Sequence, residues 1–294
     1  MKAPAFDYSR VSSVSEAVAL LSQHGDDAKI LAGGQSLMPA LNLRLLAPKL
    51  LVDIGGCHEL RAIALNGRVL TIGALARHVD VLKSDVIAAH APLLSESIQH
   101  VAHPAIRNRG TFGGSLSHAD PASELPACAL ALGATIIAQG PDGERRIAVD
   151  DFFAGIYETV LAPDEILVGV DIPVFDAGEK HFFCEHSRRK GDYALAGLAA
   201  RATVVDGRFT ALRLAFFAVG DRPFLANACA QSLLNTEVTA DVLARAHEAL
   251  DAEAEPSEDL NAPADMRLYL MRGLLTDCVN ALLGRSDSPA GSVS

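Results

Sequence analysis

Residues 32–36 read AGGQS and residues 111–115 read TFGGS. Each stretch sets two adjacent glycines beside a hydroxyl residue. Paired glycines are costly to order, so their use twice in one chain implies that something must come close to the backbone. A diphosphate is one such partner. Successive backbone N–H groups in a tight turn can converge on phosphate oxygens. Glycine supplies the required φ angles, and its missing Cβ would let the oxygens approach. Ser36 and Thr111 add hydroxyl donors. Neither stretch holds a lysine or fits G-x-x-x-x-G-K-[ST], where a cation meets terminal phosphates, and neither is G-x-G-x-x-G. The bridging diphosphate of a dinucleotide needs less countercharge than a reactive terminal phosphate. Taken singly, each pair is more often an ordinary turn than a ligand site; the two together bring the balance to about even, and the pattern alone leaves the choice open.

Other chemistries find less support. The cysteines at 57, 128, 184, 229 and 278 form no C-x-x-C pair, and their odd number argues against a disulfide framework. An iron–sulfur cluster needs grouped thiolates, which this chain lacks. No H-E-x-x-H spacing occurs among the histidines; His100 and His103 could share a helix face but have no obvious third metal ligand. A net charge of −11 argues against nucleic acid or an anionic membrane as the main partner. The opening MKAPAFDYSR has no apolar core of the secretory type, and ACALALGATIIA at 127–138 is too short to span a bilayer. These features predict a cytoplasmic protein without membrane insertion.

The elements that must position the glycine pairs alternate between helix and strand. VSEAVALLSQHG at 14–25 predicts an amphipathic helix with a serine cap and a glycine stop. A short strand runs into the first glycine pair. The stretch 43–56 reads as a turn of helix followed by a buried strand, 68–77 as a strand turning into helix, and 76–101 as apolar helices. PASELPACALALG at 121–133 predicts a helix with proline in its first turn. Pro-Asp-Gly at 141–143 marks a hairpin, and EILVGVDIP at 165–173 a strand ended by proline. Beyond residue 176 come long strand patterns with an Asp-Gly turn at 206–207, then helices from Pro223 to Leu283 interrupted by an acidic loop at 251–263.

Longer stretches around the two pairs carry a resemblance. LAGGQSLMPALNLRLLAPKLLVDI and HPAIRNRGTFGGSLSHADPASELPACALALGA resemble the FAD-binding medium subunit of molybdenum hydroxylases. That group includes carbon-monoxide dehydrogenase, xanthine dehydrogenase and related N-heterocycle and aldehyde dehydrogenases. The similarity takes in FDYSRVSSVSEAVALLSQHGDDAKILAGGQSL, DEILVGVDIP, RRKGDYALAG and PFLANACAQSLLN, and so nearly the whole chain. It implies an α+β fold, a two-part PCMH/VAO-type FAD-binding domain followed by a C-terminal antiparallel sheet with helices. The change of texture along the chain divides it into 1–56, 57–176 and 177–284, and the small, polar RSDSPAGSVS predicts a flexible tail at 285–294.

Residue by residue, the resemblance places FAD against Ala32, Gly33, Gly34, Gln35, Ser36 and Leu37 of the first bend and Thr111, Gly113, Gly114 and Ser115 of the second. Thirteen positions after Thr111, Glu124 falls where an acidic residue meets the flavin's sugar-alcohol chain; read alone, it is a helix-start acid. Leu167 and Val101 fall on apolar positions near the flavin, and Tyr193 on an aromatic that packs against the ring. Two departures bear on this. Ser115 stands where many relatives have asparagine, and Glu185 where some have lysine.

The resemblance further implies partners: a large molybdopterin subunit that oxidises substrate, a small subunit with two [2Fe–2S] clusters, and assembly as heterotrimers or dimers of heterotrimers. FAD on this chain would pass electrons to NAD, oxygen, a quinone or another acceptor, with no catalytic acid–base pair and no metal site here. Two alternatives compete: a self-sufficient VAO-type flavin oxidoreductase with its own small organic substrate, and a scaffold whose glycine pairs are mere turns.

Overall fold

A computed structural model describes residues 2–285. The tail expected over 285–294 lies, Arg285 apart, outside the described residues. Contacts divide the chain into two units with alternating segments. One comprises residues 2–91, 102–120 and 133–174; the other comprises residues 92–101, 121–132 and 175–285.

The first unit opens with a three-stranded parallel sheet of β1 (Asp7–Arg10), β2 (Ala28–Leu31) and β3 (Leu50–Asp53), in the order β1-β3-β2. Parallel strands need a crossover, and the helix Val14–His24 provides it. Ser13 caps that helix by accepting from the Glu16 amide at 3.3 Å, and Gly25, at φ +52°, stops it. Ala17, Val18 and Leu21 form its buried stripe against the sheet core.

The same unit holds a five-stranded antiparallel sheet. Its strands are β4 (Ile63–Asn66), β5 (Val69–Gly73), β6 (Thr135–Gly140), β7 (Gly143–Ala148) and, beyond a small hairpin of β8 (Phe153–Gly155) and β9 (Glu158–Thr159), β10 (Ile166–Pro173). The order is β4-β5-β10-β6-β7, so β10 is central, and its last residue is the proline. The β6–β7 hairpin turns at Pro141–Asp142, as its turn residues predict.

In the second unit β11 (Glu179–Ser187), β12 (Ala194–Val205), β13 (Arg208–Phe217) and β14 (Phe224–Leu225) form an antiparallel sheet in sequence order. Asp206 and Gly207, at φ +49° and +71°, make the two-residue turn between β12 and β13. Side chains alternate across the sheet. Ala196, Leu198, Ala200 and Ala202 pack with the helices Asn227–Leu233, Ala240–Glu253 and Ala264–Leu283. Arg201, on the opposite phase, donates to the Leu132 carbonyl at 3.3 Å, and Arg213 to Leu130 at 3.0 Å. Two strand arginines thus satisfy the last carbonyls of the fully buried helix Glu124–Leu132.

Local details depart from the sequence reading. The helical turn expected at the start of 43–56 lies earlier, at Leu37–Asn42, and the segment 43–49 is not helical. The acidic loop begins later than 251, because Val242, Ala246 and Leu250 keep the helix in phase to Glu253. Glu253 then accepts from the Ala228 and Cys229 amides, both at 2.9 Å, capping the next helix in space. All five cysteines are unpaired. Among the described residues, no helix is long and apolar enough to cross a membrane.

A Cβ on Gly197 would fall inside the ring of Phe217, its fully buried cross-strand neighbour. Gly197→Ala is therefore expected to destabilise the protein by about 1–3 kcal/mol through overpacking. Thermal unfolding checks this, and an unchanged melting temperature would contradict the packing.

Candidate functional site

The first bend begins where β2 ends. Gly34 sits at φ +70°, and the chain turns there into the helix Leu37–Asn42. Three of the loop's carbonyls are occupied: Met38 N–H donates to Gly34 O at 3.2 Å, Ala40 N–H to Ser36 O at 3.1 Å, and Gln35 Nε2 to Gly33 O at 3.0 Å. Its amides are not. Among the described residues, the N–H groups of Gly33, Gly34, Gln35 and Ser36 donate to no acceptor in the chain. Gly33 to Gln35 are half-buried and Ser36 is exposed.

The second bend is built the other way round. Thr111 caps the helix Phe112–His118, its Oγ1 accepting from Gly114 N–H at 3.1 Å. Phe112 N–H donates to Ala76 O at 2.8 Å, Gly113 N–H to Ala74 O at 3.0 Å, and Ser115 N–H to Thr111 O at 3.0 Å. The bend is bolted to the segment that leaves β5, which is itself tied to β10 by Ala74 N–H to Val168 O at 3.0 Å. With the glycine amides spent on the protein, the second bend's clearest remaining donor is the Thr111 hydroxyl. No acceptor for its hydrogen occurs in the chain among the described residues.

The two bends meet. A Cβ on Gly33 would land on the carbonyl oxygen of Arg109, with the Gly110 Cα at 2.9 Å. One on Gly114 would lie 2.6 Å from Thr111 Oγ1 and 3.9 Å from the Ala32 Cβ. At Gly113 it would lie 2.6 Å from the Ala74 Cβ, and at Gly34 it would press on Leu31 Cδ1 at 3.2 Å. The missing side chains therefore make room for neighbouring protein, whereas the sequence reading assigned that room to phosphate oxygens. The glycines let two backbone turns close on each other.

Sequence reasoning missed the residue that braces this junction. His78 is 5 % exposed. Its N–H donates to Gly110 O at 2.9 Å, and its ring Nε2 lies 3.1 Å from Thr111 O. Because a carbonyl can only accept, Nε2 carries the proton. Burial lowers the ring's pKa to about 4, so it is neutral at neutral pH. Nδ1 is left without a partner, which costs on the order of 1–3 kcal/mol in a buried site. No local sequence signal marks His78; its role arises from tertiary contacts. The Arg109–Gly110 backbone was overlooked for the same reason.

The remaining expected residues divide between the units. Leu167, in β10 of the first unit, is buried beside a bulge that spans Leu167–Gly169. Val101, Glu124 and Tyr193 belong to the second unit. Val101 and Glu124 are buried, while Tyr193, in the turn between β11 and β12, is 67 % exposed. Glu185 is paired there with His100, Oε1 to Nδ1 at 3.4 Å, with its Oε2 buried and unpartnered. His103 starts the helix Pro104–Arg107 in the first unit, apart from His100 in the second. Among the described residues, no group of three His, Cys, Asp or Glu is placed to hold a metal.

Chemically, the first unit presents four adjacent unpaired amides and two hydroxyls, those of Ser36 and Thr111, at the meeting of two turns. Such a cluster suits an anion with several acceptor oxygens and no need of a paired cation. The diphosphate of FAD fits this donor set.

Comparison with known proteins agrees with that chemistry. Residues 4–175 match the family described as the FAD binding domain in molybdopterin dehydrogenase, and residues 181–282 the CO dehydrogenase flavoprotein C-terminal domain. The 6-hydroxypseudooxynicotine dehydrogenase complex subunit alpha of Paenarthrobacter nicotinovorans is 38% identical, over 97% of each chain. The carbon monoxide dehydrogenase medium chain of Hydrogenophaga pseudoflava is 36% identical over 96% of this chain and 98% of its own. In the solved carbon monoxide dehydrogenase of Hydrogenophaga pseudoflava, one chain superimposes with a TM-score of 0.94 at 37% identity, covering 98% of this chain and 100% of that one. The chain therefore belongs to the family of FAD-binding medium subunits of molybdenum hydroxylases, and it is an oxidoreductase subunit.

Proposed function

We propose that this chain is the flavin-carrying electron outlet of a heterotrimeric molybdenum hydroxylase. In this reading a large molybdopterin subunit oxidises the substrate, and the [2Fe–2S] clusters of a small subunit deliver the electrons. An external acceptor such as NAD, oxygen or a quinone removes them. Assembly as a dimer of heterotrimers and a cytoplasmic setting belong to the same reading.

The observation that supports it most directly is the row of amides at Gly33–Ser36 with no acceptor among the described residues, at a junction closed by the second bend. Those amides, with the Ser36 and Thr111 hydroxyls, would hold the diphosphate. Ala32, Leu37, Gly113, Gly114 and Ser115 shape the turn that presents them, and Leu167 lends an apolar wall. Bound FAD supplies redox chemistry in one- and two-electron steps, which suits a junction between single-electron clusters and a two-electron acceptor. The chain's own residues bind and orient; none is assigned as an acid, base or nucleophile. The substrate then belongs to another polypeptide. The two relatives above, named for 6-hydroxypseudooxynicotine and for carbon monoxide, fit that view, since similar chains serve dissimilar substrates.

Affinity purification of the full chain from its native host is expected to yield a yellow protein with near-stoichiometric FAD. Two further chains should accompany it, one bearing molybdenum and the other iron and sulfide. A colourless preparation would refute the cofactor assignment. Turnover of small alcohols or aldehydes by the FAD-loaded chain alone would favour a self-sufficient flavoenzyme instead.

Gly33→Ala is expected to weaken FAD binding by at least about tenfold, because the new methyl would force the bends apart; such a change corresponds to about 1.4 kcal/mol. Gly34→Val and Gly114→Val should also release FAD, the first through strain at positive φ and the second through the Thr111 cap. Gly273→Ala, at a helical position with open space around it, is the control and should retain FAD. Flavin fluorescence titration distinguishes these outcomes. Equal affinity in Gly33→Ala and Gly273→Ala would contradict the placement of the diphosphate.

A further inference from the structure

We propose that His78 is a positioning residue for dinucleotide binding: it fixes the Gly110–Thr111 stretch so that the Thr111 hydroxyl faces the phosphate groups. This rests on the FAD assignment above.

His78 grips that stretch twice, through its backbone N–H to Gly110 O at 2.9 Å and through ring Nε2 to Thr111 O at 3.1 Å. The ring also lies flush against Gly110, where an added Cβ would sit 2.9 Å from Cε1 and 3.0 Å from Nδ1. Thr111 is therefore held on its carbonyl side, while its hydroxyl accepts from Gly114 N–H and keeps one hydrogen to donate. The histidine is itself anchored. It opens the helix His78–Leu82, whose first turn is tied down by Arg77 N–H to Asp80 Oδ2 at 3.1 Å. Arg77 in turn bridges to Thr111.

Three features favour positioning over simple core filling. Among the described residues, the ring's only hydrogen bond goes to the residue whose hydroxyl is assigned to the ligand. Burial keeps the imidazole neutral, so its protonated nitrogen is committed to that bond. The other ring nitrogen is buried without a partner, a poor arrangement for a residue serving stability alone.

The test is a double-mutant cycle on the full chain, reading FAD affinity by fluorescence titration and melting temperature in parallel. His78→Leu is expected to raise the FAD Kd about tenfold, as loss of one well-aligned donor arrangement does. His78→Gln, whose amide can reach the place of Nε2, should stay within about threefold of wild type, whereas His78→Asn, whose amide falls short, should not. In a Thr111→Val background, His78→Leu should change Kd by less than about twofold, because the group it positions is gone. Undiminished additivity in that background, or equal Kd values for the Gln and Asn variants, would overturn the role. The Gln and Asn pair decides the matter if His78→Leu does not fold. A folded wild-type chain that fails to take up FAD would refute the underlying cofactor assignment instead, which keeps the two failures apart.

Discussion

The structure of the first unit depends on one close approach, in which the Gly33 backbone is pressed against the carbonyl of Arg109 and the Cα of Gly110. No side chain fits between them. Everything local follows from that constraint. Gly33 must be glycine, Gly34 must then turn the chain at positive φ, and the amides of Gly33, Gly34, Gln35 and Ser36 find no acceptor among the described residues. A side chain at the junction would separate the turns by the width of a methyl and disperse the donors.

The two glycine pairs look alike in sequence but divide the work. The first is an open donor row in which the carbonyls of Gly33, Gly34 and Ser36 are satisfied and the amides, among the described residues, are not. The second is a closed brace, its amides spent on Ala74, Ala76 and Thr111 and its carbonyl side held by His78. An anion site made this way needs no lysine, because preorganised dipoles stand in for charge. On the proposed reading, that arrangement would suit a diphosphate bridge that is gripped without being activated, in a chain of net charge −11.

Much of this was legible in the residues. The helix at Val14–His24 announced itself through a serine cap, an amphipathic pattern and a glycine stop, and both hairpin turns through Pro-Asp-Gly and Asp-Gly. The resemblance brought the family, the cofactor and the order of the two domains. What stayed hidden was tertiary. Pro121–Leu132 packs with the distant strands β12 and β13 because Arg201 and Arg213 take its carbonyls, and no local pattern reports partners some seventy to eighty residues away. The direction of each missing Cβ was equally invisible. Composition shows that glycine is required but not whether a ligand or the chain itself fills the room. His78 went unnoticed because a buried neutral histidine has no distinctive spacing.

The central claim is that the first bend donates its backbone amides, whereas the second spends its glycine amides on bracing the junction and adds only the Thr111 hydroxyl. Residue-resolved NMR of the full chain, labelled at backbone nitrogen and titrated with FAD, tests this most directly. The account predicts large shifts and slowed exchange for the amides of Gly33, Gly34, Gln35 and Ser36, with little change at Gly113 and Gly114. Saturation with FAD that leaves the Gly33–Ser36 amides unmoved would contradict it.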